Sequence, residues 1–247
     1  MECGSVLEEG SKAGRAERSM FLQGVKDCVP TLLGYLSIGL ACGVIGTTSG
    51  LYPSEILLLS TLLYAGSAQF IVAGMVAAGG SAAAVIITVL FVNLRHLLLS
   101  AALAPYFRRY APWKNAILGS QLTDETFGVA ISRLGSGMKG RARWMLGLNV
   151  TAHVNWIAAN MVGAYAGAWI PDPGKYGLPY ALPAMFVGLL VLGFGTRQKK
   201  IVDGIVAVSA GAVCVAAGTW IPGHAAVLAA IVVAALIGMG VQSWTSD

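Results

Sequence analysis

Residues 82–104 read AAAVIITVLFVNLRHLLLSAALA. At about 1.5 Å per residue, roughly 20 apolar residues cross the ~30 Å hydrocarbon core of a bilayer. This run is long enough, and charge enters it only at Arg95, between Asn93 and His96. An arginine at mid-depth cannot readily reach the interface, so it needs a counter-charge, water or a ligand beside it. The stretch therefore reads as a transmembrane helix that carries a polar obligation.

Comparable apolar runs occupy 29–51, 56–78, 144–170, 178–196, 201–220 and 224–242. They are separated at Pro53, at Pro171 with Pro173, and at Pro222 with Gly223, where proline and glycine punctuate helices. The expected fold is all-α: a polytopic integral membrane bundle of about seven transmembrane helices, with a range of six to eight. Residues 28–244 are expected to form a single transmembrane domain. Residues 1–27, with five acidic and four basic side chains, form a polar and flexible tail.

The composition supports this class. Of 247 residues, 56% are hydrophobic and only 11% charged, against about 25% charged in soluble domains. The net charge of +5 arises from clusters between apolar runs. With no basic stripe and no recognisable module, nucleic acid is not an expected partner, whereas the lipid bilayer is. Cys3, Cys28, Cys42 and Cys214 form no CxxC pair, and His96, His153 and His224 lack metal-ligand spacing. GxxxxGK[ST], HExxH and GxSxG are absent. No enzyme activity, cofactor or metal is expected.

Segment 115–133, NAILGSQLTDETFGVAISR, carries Asp124 and Glu125 at its middle. An acidic residue at a helix centre costs about 2.5–3.5 kcal/mol on insertion. The segment lies at the interface, re-enters the bilayer, or crosses only when surrounded by other helices. With seven spans and a non-crossing 115–133, an external N-terminus places ten basic residues inside and five outside. A re-entrant stretch around 64–70 would reverse that orientation. Gly39 with Gly43, Gly46 with Gly50, and Gly163 with Gly167 form GxxxG pairs, expected to bring helices close.

Polar residues inside apolar runs mark candidate substrate-binding or coupling positions. Tyr64, Gly66, Ser67 and Gln69 lie in YAGSAQF at the centre of 56–78, where small residues suggest a weakened helix. Gly66 and Ser67 would leave room for an apolar side chain. Asn93, Arg95 and His96 form the second group, and Thr123, Asp124 and Glu125 the third. The two acids are the natural partners for Arg95. Asn149 and His153 begin a stripe that continues through Trp156 and Asn160 at +3 and +4 spacing. Tight packing, with Gln69 bonded to a neighbour and His153 satisfied between helices, remains an alternative for these groups.

Several of these motifs, in this order, resemble the AzlC family. They are Phe21-Leu22-Gln23-Gly24 with Pro30, Gly34-Tyr35 through Gly39 and Gly43, YAGSAQF at 64–70, Asn93-Leu94-Arg95-His96, and Leu122-Thr123-Asp124-Glu125. Beyond 144 the likeness is looser, resting on Trp144, Gly147 and Leu182-Pro183-Ala184-Met185-Phe186. Where the family often has an acid before that last motif, this chain has Leu178-Pro179-Tyr180. The resemblance implies the large permease subunit of a two-component secondary transporter in the bacterial cytoplasmic membrane. It implies proton-driven export of valine, leucine, isoleucine and methionine, and a separate small AzlD-like membrane subunit. A non-transporting structural or regulatory subunit, and a transporter or pore for another small metabolite, are the alternatives.

Overall fold

A computed structural model describes residues 2–134, 141–170, 172–181, 183–184, 187–188, 191, 200–221 and 223–244. The run expected at 178–196 and the basic residues Lys139, Arg197 and Lys199 fall largely outside these. Among the described residues every regular element is helical. They are α1 (Glu2–Thr48), α2 (Pro53–Leu58), α3 (Gly66–Ala77), α4 (Ala82–Phe107), α5 (Pro112–Ser120), α6 (Asp124–Leu134), α7 (Arg141–Gly167), α8 (Lys200–Gly218) and α9 (Gly223–Trp244). Two short 3-10 turns, Pro173–Tyr176 and Leu178–Tyr180, follow α7. The chain is a helical membrane protein, with Gly14–Thr48 and Ala82–Phe107 its clearest spans by length and apolar character.

The chain divides into two units. One comprises Met1–Val85 with Asn93–Leu182, and the other Ile86–Val92 with Pro183–Asp247. In the second, α8 and α9 pack on each other, and Gly238 lies close to Val206. The remaining description concerns the first unit.

Its backbone is the pairing of α1 with α7. A methyl group on Gly24 would collide with the Trp144 carbonyl, on Gly147 with Phe21, on Gly43 with Asn160, and on Gly163 with Leu40. Each glycine admits the opposing main chain, as small-residue contacts between membrane helices require. The sequence order of these contacts rises together on both helices, so α1 and α7 run parallel. The boundary expected at residue 27 does not coincide with a backbone break. Asp27 lies inside α1 and accepts hydrogen bonds from the Arg133 guanidinium at 2.7 Å and Trp144 Nε1 at 2.9 Å. Gly50, at φ +94°, ends the helical stretch beyond Thr48 in a conformation that side chains resist.

The last turn of α4 meets the first turn of α7. Arg141 donates to the Tyr106 carbonyl at 3.4 Å and lies over the Tyr106 ring. Helix α4 is therefore antiparallel to α1 and α7, and its 26 residues extend about 39 Å. Segment 112–134 starts and finishes at that same end of the unit. Lys114 lines a cleft with Glu17 and Arg143, and Arg133 bonds Asp27. Its two helices have 9 and 11 residues, each far short of ~20. The segment dips inward and returns.

Segment 53–77 does the same from the opposite end. It begins where Ile56 covers Gly46 near the end of α1 and finishes just before Ser81 caps α4. The run expected to span at 56–78 is thus two half-helices. This is why α1 and α7 are parallel; one full crossing at 56–78 with a non-crossing 115–133 would have made them antiparallel.

Candidate substrate site between two broken helices

The first break follows from YAGSAQF. Leu59–Leu63 form one π-helical turn, then Tyr64 turns left-handed at φ 38°, ψ 49°. Ala65 is extended at φ −142°, ψ 101°, and α3 starts at Gly66. A break at membrane depth is tolerated only if its freed backbone groups find partners. Gln69 Nε2 donates to the Leu59 carbonyl at 2.9 Å, while Cys42 Sγ donates to Gln69 Oε1 at 3.5 Å. His153 Nε2 donates to the Ser60 carbonyl at 3.1 Å, and its ring stacks on Tyr64 with centroids 4.0 Å apart. The space expected over Gly66 is filled: a Cβ there would meet the Trp156 ring at 3.1 Å.

The second break lies at 121–123. Thr123 caps α6. Its hydroxyl accepts from the Thr126 amide at 3.3 Å, and Thr126 Oγ1 accepts from the Thr123 amide at 2.9 Å. This is a reciprocal cap of the capping-box kind, with threonine in place of the usual acid. His96 Nδ1 donates to the Leu122 carbonyl at 2.8 Å. A carbonyl only accepts, so that bond puts the proton on Nδ1 and leaves Nε2 as the acceptor in the neutral ring. One turn earlier, Asn149 Nδ2 donates to the Leu118 carbonyl at 3.0 Å.

Arg95 joins the two breaks. Its guanidinium lies 2.8 Å from Asp124 Oδ2 and donates to Ser67 Oγ at 2.8 Å. Ser67 is in the first turn of α3 and Asp124 opens α6. Two helix N-termini, whose amides and dipoles favour negative charge, therefore face one arginine. The Arg95 and Asp124 side chains are 21% and 24% exposed, so the pair is sheltered without being sealed. Tyr35, on α1, hydrogen-bonds the Thr123 hydroxyl and meets Trp156 edge-on at 6.0 Å. The Glu125 carboxylate lies beside Tyr35 and Thr123. Tyr64 Oη, His96 Nε2, Asn93 Oδ1 and Trp156 Nε1 are buried without hydrogen-bond partners.

Of the twelve sequence candidates, Tyr64, Gly66, Ser67, Arg95, His96, Thr123, Asp124, Glu125 and His153 gather around the two breaks. Gln69 serves the first break from behind. Asn149 lies deeper in α5's corner, and Asn93 sits on α4 without a bond to the Arg95 cluster. Sequence reasoning missed Tyr35 and Thr126. A lone tyrosine hydroxyl inside the run 29–51 was the signal for the first, and the Thr-Asp-Glu-Thr capping pattern for the second. Among the described residues no group of three His, Cys, Asp or Glu is placed to hold a metal ion.

Long apolar helices, two pairs of half-helices and a sheltered ion pair between them define a polytopic helical membrane protein. The chain belongs to the AzlC family, described as AzlC protein, which it matches over residues 30–170. It is 30% identical to the inner membrane protein YgaZ of Escherichia coli (strain K12) over 184 residues, covering 72% of this chain and 75% of that one. It is 28% identical to an uncharacterised membrane protein of Archaeoglobus fulgidus over 203 residues, 81% and 86% of the two chains. The branched-chain amino acid transport protein AzlC of Bacillus subtilis (strain 168) is 22% identical over 172 residues, 70% and 66% of the two chains. No solved structure matches.

Proposed function

We infer that this chain is the large permease subunit of a two-component secondary transporter exporting branched-chain amino acids. The observation that carries the reading is the Arg95 bridge between Ser67 and Asp124 at two helix N-termini. A zwitterion offers a carboxylate for the guanidinium and the adjacent amides, and an ammonium for the Asp124 carboxylate. Displacing Arg95 from Asp124 couples binding to movement of the half-helices. The name of the Bacillus subtilis relative supports the substrate class, and membership of the family supports a small AzlD-like partner. Proton coupling through Asp124 or Glu125 completes the scheme.

The N-terminal end of α1 gathers Arg15, Arg18, Lys26, Arg108, Arg109, Lys114, Arg133, Arg141 and Arg143. The positive-inside bias makes it the cytoplasmic end, which reverses the orientation expected from the seven-span reading.

The test is valine and isoleucine efflux from cells loaded with the corresponding dipeptides. Faster efflux only when this chain and its small partner are both expressed supports the exporter. Unchanged efflux with both subunits in the membrane refutes it. Loss of efflux on collapsing the proton gradient separates coupled export from a passive pore.

A second reading has its own support. His96, Asn149 and His153 bond backbone carbonyls at the breaks, and Gln69 adds a second bond to the Leu59 carbonyl that also accepts from the Tyr64 amide, as expected of a purely structural core. On that reading Arg95→Ala lowers the amount of assembled protein and leaves flux per molecule unchanged.

A further inference from the structure

From Leu122, two residues before Asp124, and Ser100, five residues after Arg95, side chains of α4, α5 and α7 line a cavity of about 180 Å³. Its apolar wall includes Leu103, Phe107, Leu118, Leu122 and Met145. We propose that this cavity is the side-chain subsite of the transporter, selecting aliphatic over small or polar amino acids. The proposal rests on the exporter reading above.

Three observations support it. First, cavity and ion pair share one segment. Leu122 lines the cavity, Thr123 caps α6, and Asp124 holds Arg95. The His96 bond to the Leu122 carbonyl ties the same wall to the residue beside Arg95. A bound amino acid with its charged groups at Arg95 and Asp124 has its apolar body next to Leu122. Second, the alternative space is occupied, because Trp156 covers Gly66 on the other side of the pair. Third, the cavity is held open. Asn149 anchors the Leu118 carbonyl from α7. Asn115, also in the wall, donates to the Phe107 carbonyl at 3.2 Å, and its Oδ1 is buried without a hydrogen-bond partner. Gly119 sits against Ser100, where a Cβ would come within 3.3 Å of Oγ, so α5 approaches α4 without filling the space.

The position suits export. His96, Ser100, Leu103 and Phe107 follow one face of α4 from the ion pair toward the end carrying the basic residues. A second, wider cleft of about 430 Å³ opens there between Glu17, Trp113, Lys114 and Arg143, and Leu118 lines both spaces. An amino acid arriving from the cytoplasm meets this cleft, then the apolar cavity, then the charged pair.

The experiment measures initial efflux of alanine, valine, isoleucine and methionine in competition, with both subunits expressed and rates normalised to protein in the membrane. Leu103→Phe reduces the cavity and Met145→Ala enlarges it. One methylene in an apolar pocket changes selectivity by about 10-fold or more. Leu103→Phe is expected to lower the isoleucine-to-alanine ratio by about 10-fold, and Met145→Ala to raise the methionine-to-valine ratio. A folding defect would lower all rates together, whereas the subsite requires the two ratios to move in opposite senses of size. Wild-type ratios in both variants, with efflux intact, overturn the subsite and leave the exporter standing. No efflux of any of the four by the wild-type pair overturns both.

Discussion

Arg95 and Asp124 meet at 2.8 Å, each from a different helix, and neither is fully buried. Removing one partner takes the counter-charge of this contact away from the other. Breaking a fully buried pair costs about 3–5 kcal/mol, and partial exposure here reduces that to about 1–3 kcal/mol. Arg95→Ala and Asp124→Asn should each lower the thermal stability of the purified protein by that amount and abolish efflux while the chain still inserts. The double variant should regain stability without regaining efflux. Recovery of both properties together would assign the pair a structural role only.

The α1–α7 contact makes a sharper stability prediction. Gly43→Ala and Gly163→Ala push a methyl group into the main chain of the facing helix, whereas Gly34 has nothing within 4 Å of its added Cβ. Overpacking of this kind costs about 1–3 kcal/mol. Unfolding curves in one detergent should show both variants destabilised and Gly34→Ala unchanged or slightly stabilised, since alanine favours the helix. Equal behaviour of all three would mean that the helices do not approach this closely.

Much of this arrangement was legible in the sequence. Unbroken apolar length located α4 and α7, the small residues of YAGSAQF marked the first break, and the scarcity of acids after the tail pointed Arg95 to Asp124 or Glu125, of which Asp124 holds it. The continuity of α1 was not legible. Most side chains of 14–27 are exposed, and the stretch is held only where Gly24 meets α7 and Asp27 bonds Arg133 and Trp144, so its polarity alone resembles a tail. The return of 53–77 was legible only as an alternative, a re-entrant stretch around 64–70, since hydropathy measures length in residues and takes no account of a reversal at Tyr64. Tyr35 escaped because its role depends on Thr123, a contact between distant parts of the chain.

His153 offers a test of how the first break is held. Its ring stacks on Tyr64 and its Nε2 serves the Ser60 carbonyl. An aromatic pair contributes about 0.5–1.5 kcal/mol and a buried hydrogen bond about 1 kcal/mol. His153→Phe should keep the first and lose the second, so its stability should fall between wild type and His153→Ala. If phenylalanine matched wild type, the bond to Ser60 would carry no weight in holding the break open.

The two inward-dipping segments predict an accessibility pattern that no full-span arrangement gives. In a background lacking the native cysteines, Tyr52→Cys and Ala78→Cys flank segment 53–77, and Trp113→Cys and Gly137→Cys flank or follow the parts of 112–134. Tyr52 and Trp113 are well exposed, at 71% and 62%. An impermeant thiol reagent applied to intact cells should modify the first two. The second two should react only after the membrane is opened. If Trp113→Cys and Gly137→Cys reacted from opposite sides, α5 and α6 would together cross the bilayer. Asp124 would then sit in a broken span, and the basic residues at 105–114 and 133–143 would lie on opposite faces, against the positive-inside bias. If Tyr52→Cys and Ala78→Cys reacted from opposite sides instead, α2 and α3 would cross. The parallel course of α1 and α7 then requires 112–134 to cross as well, so the four positions must change together or not at all.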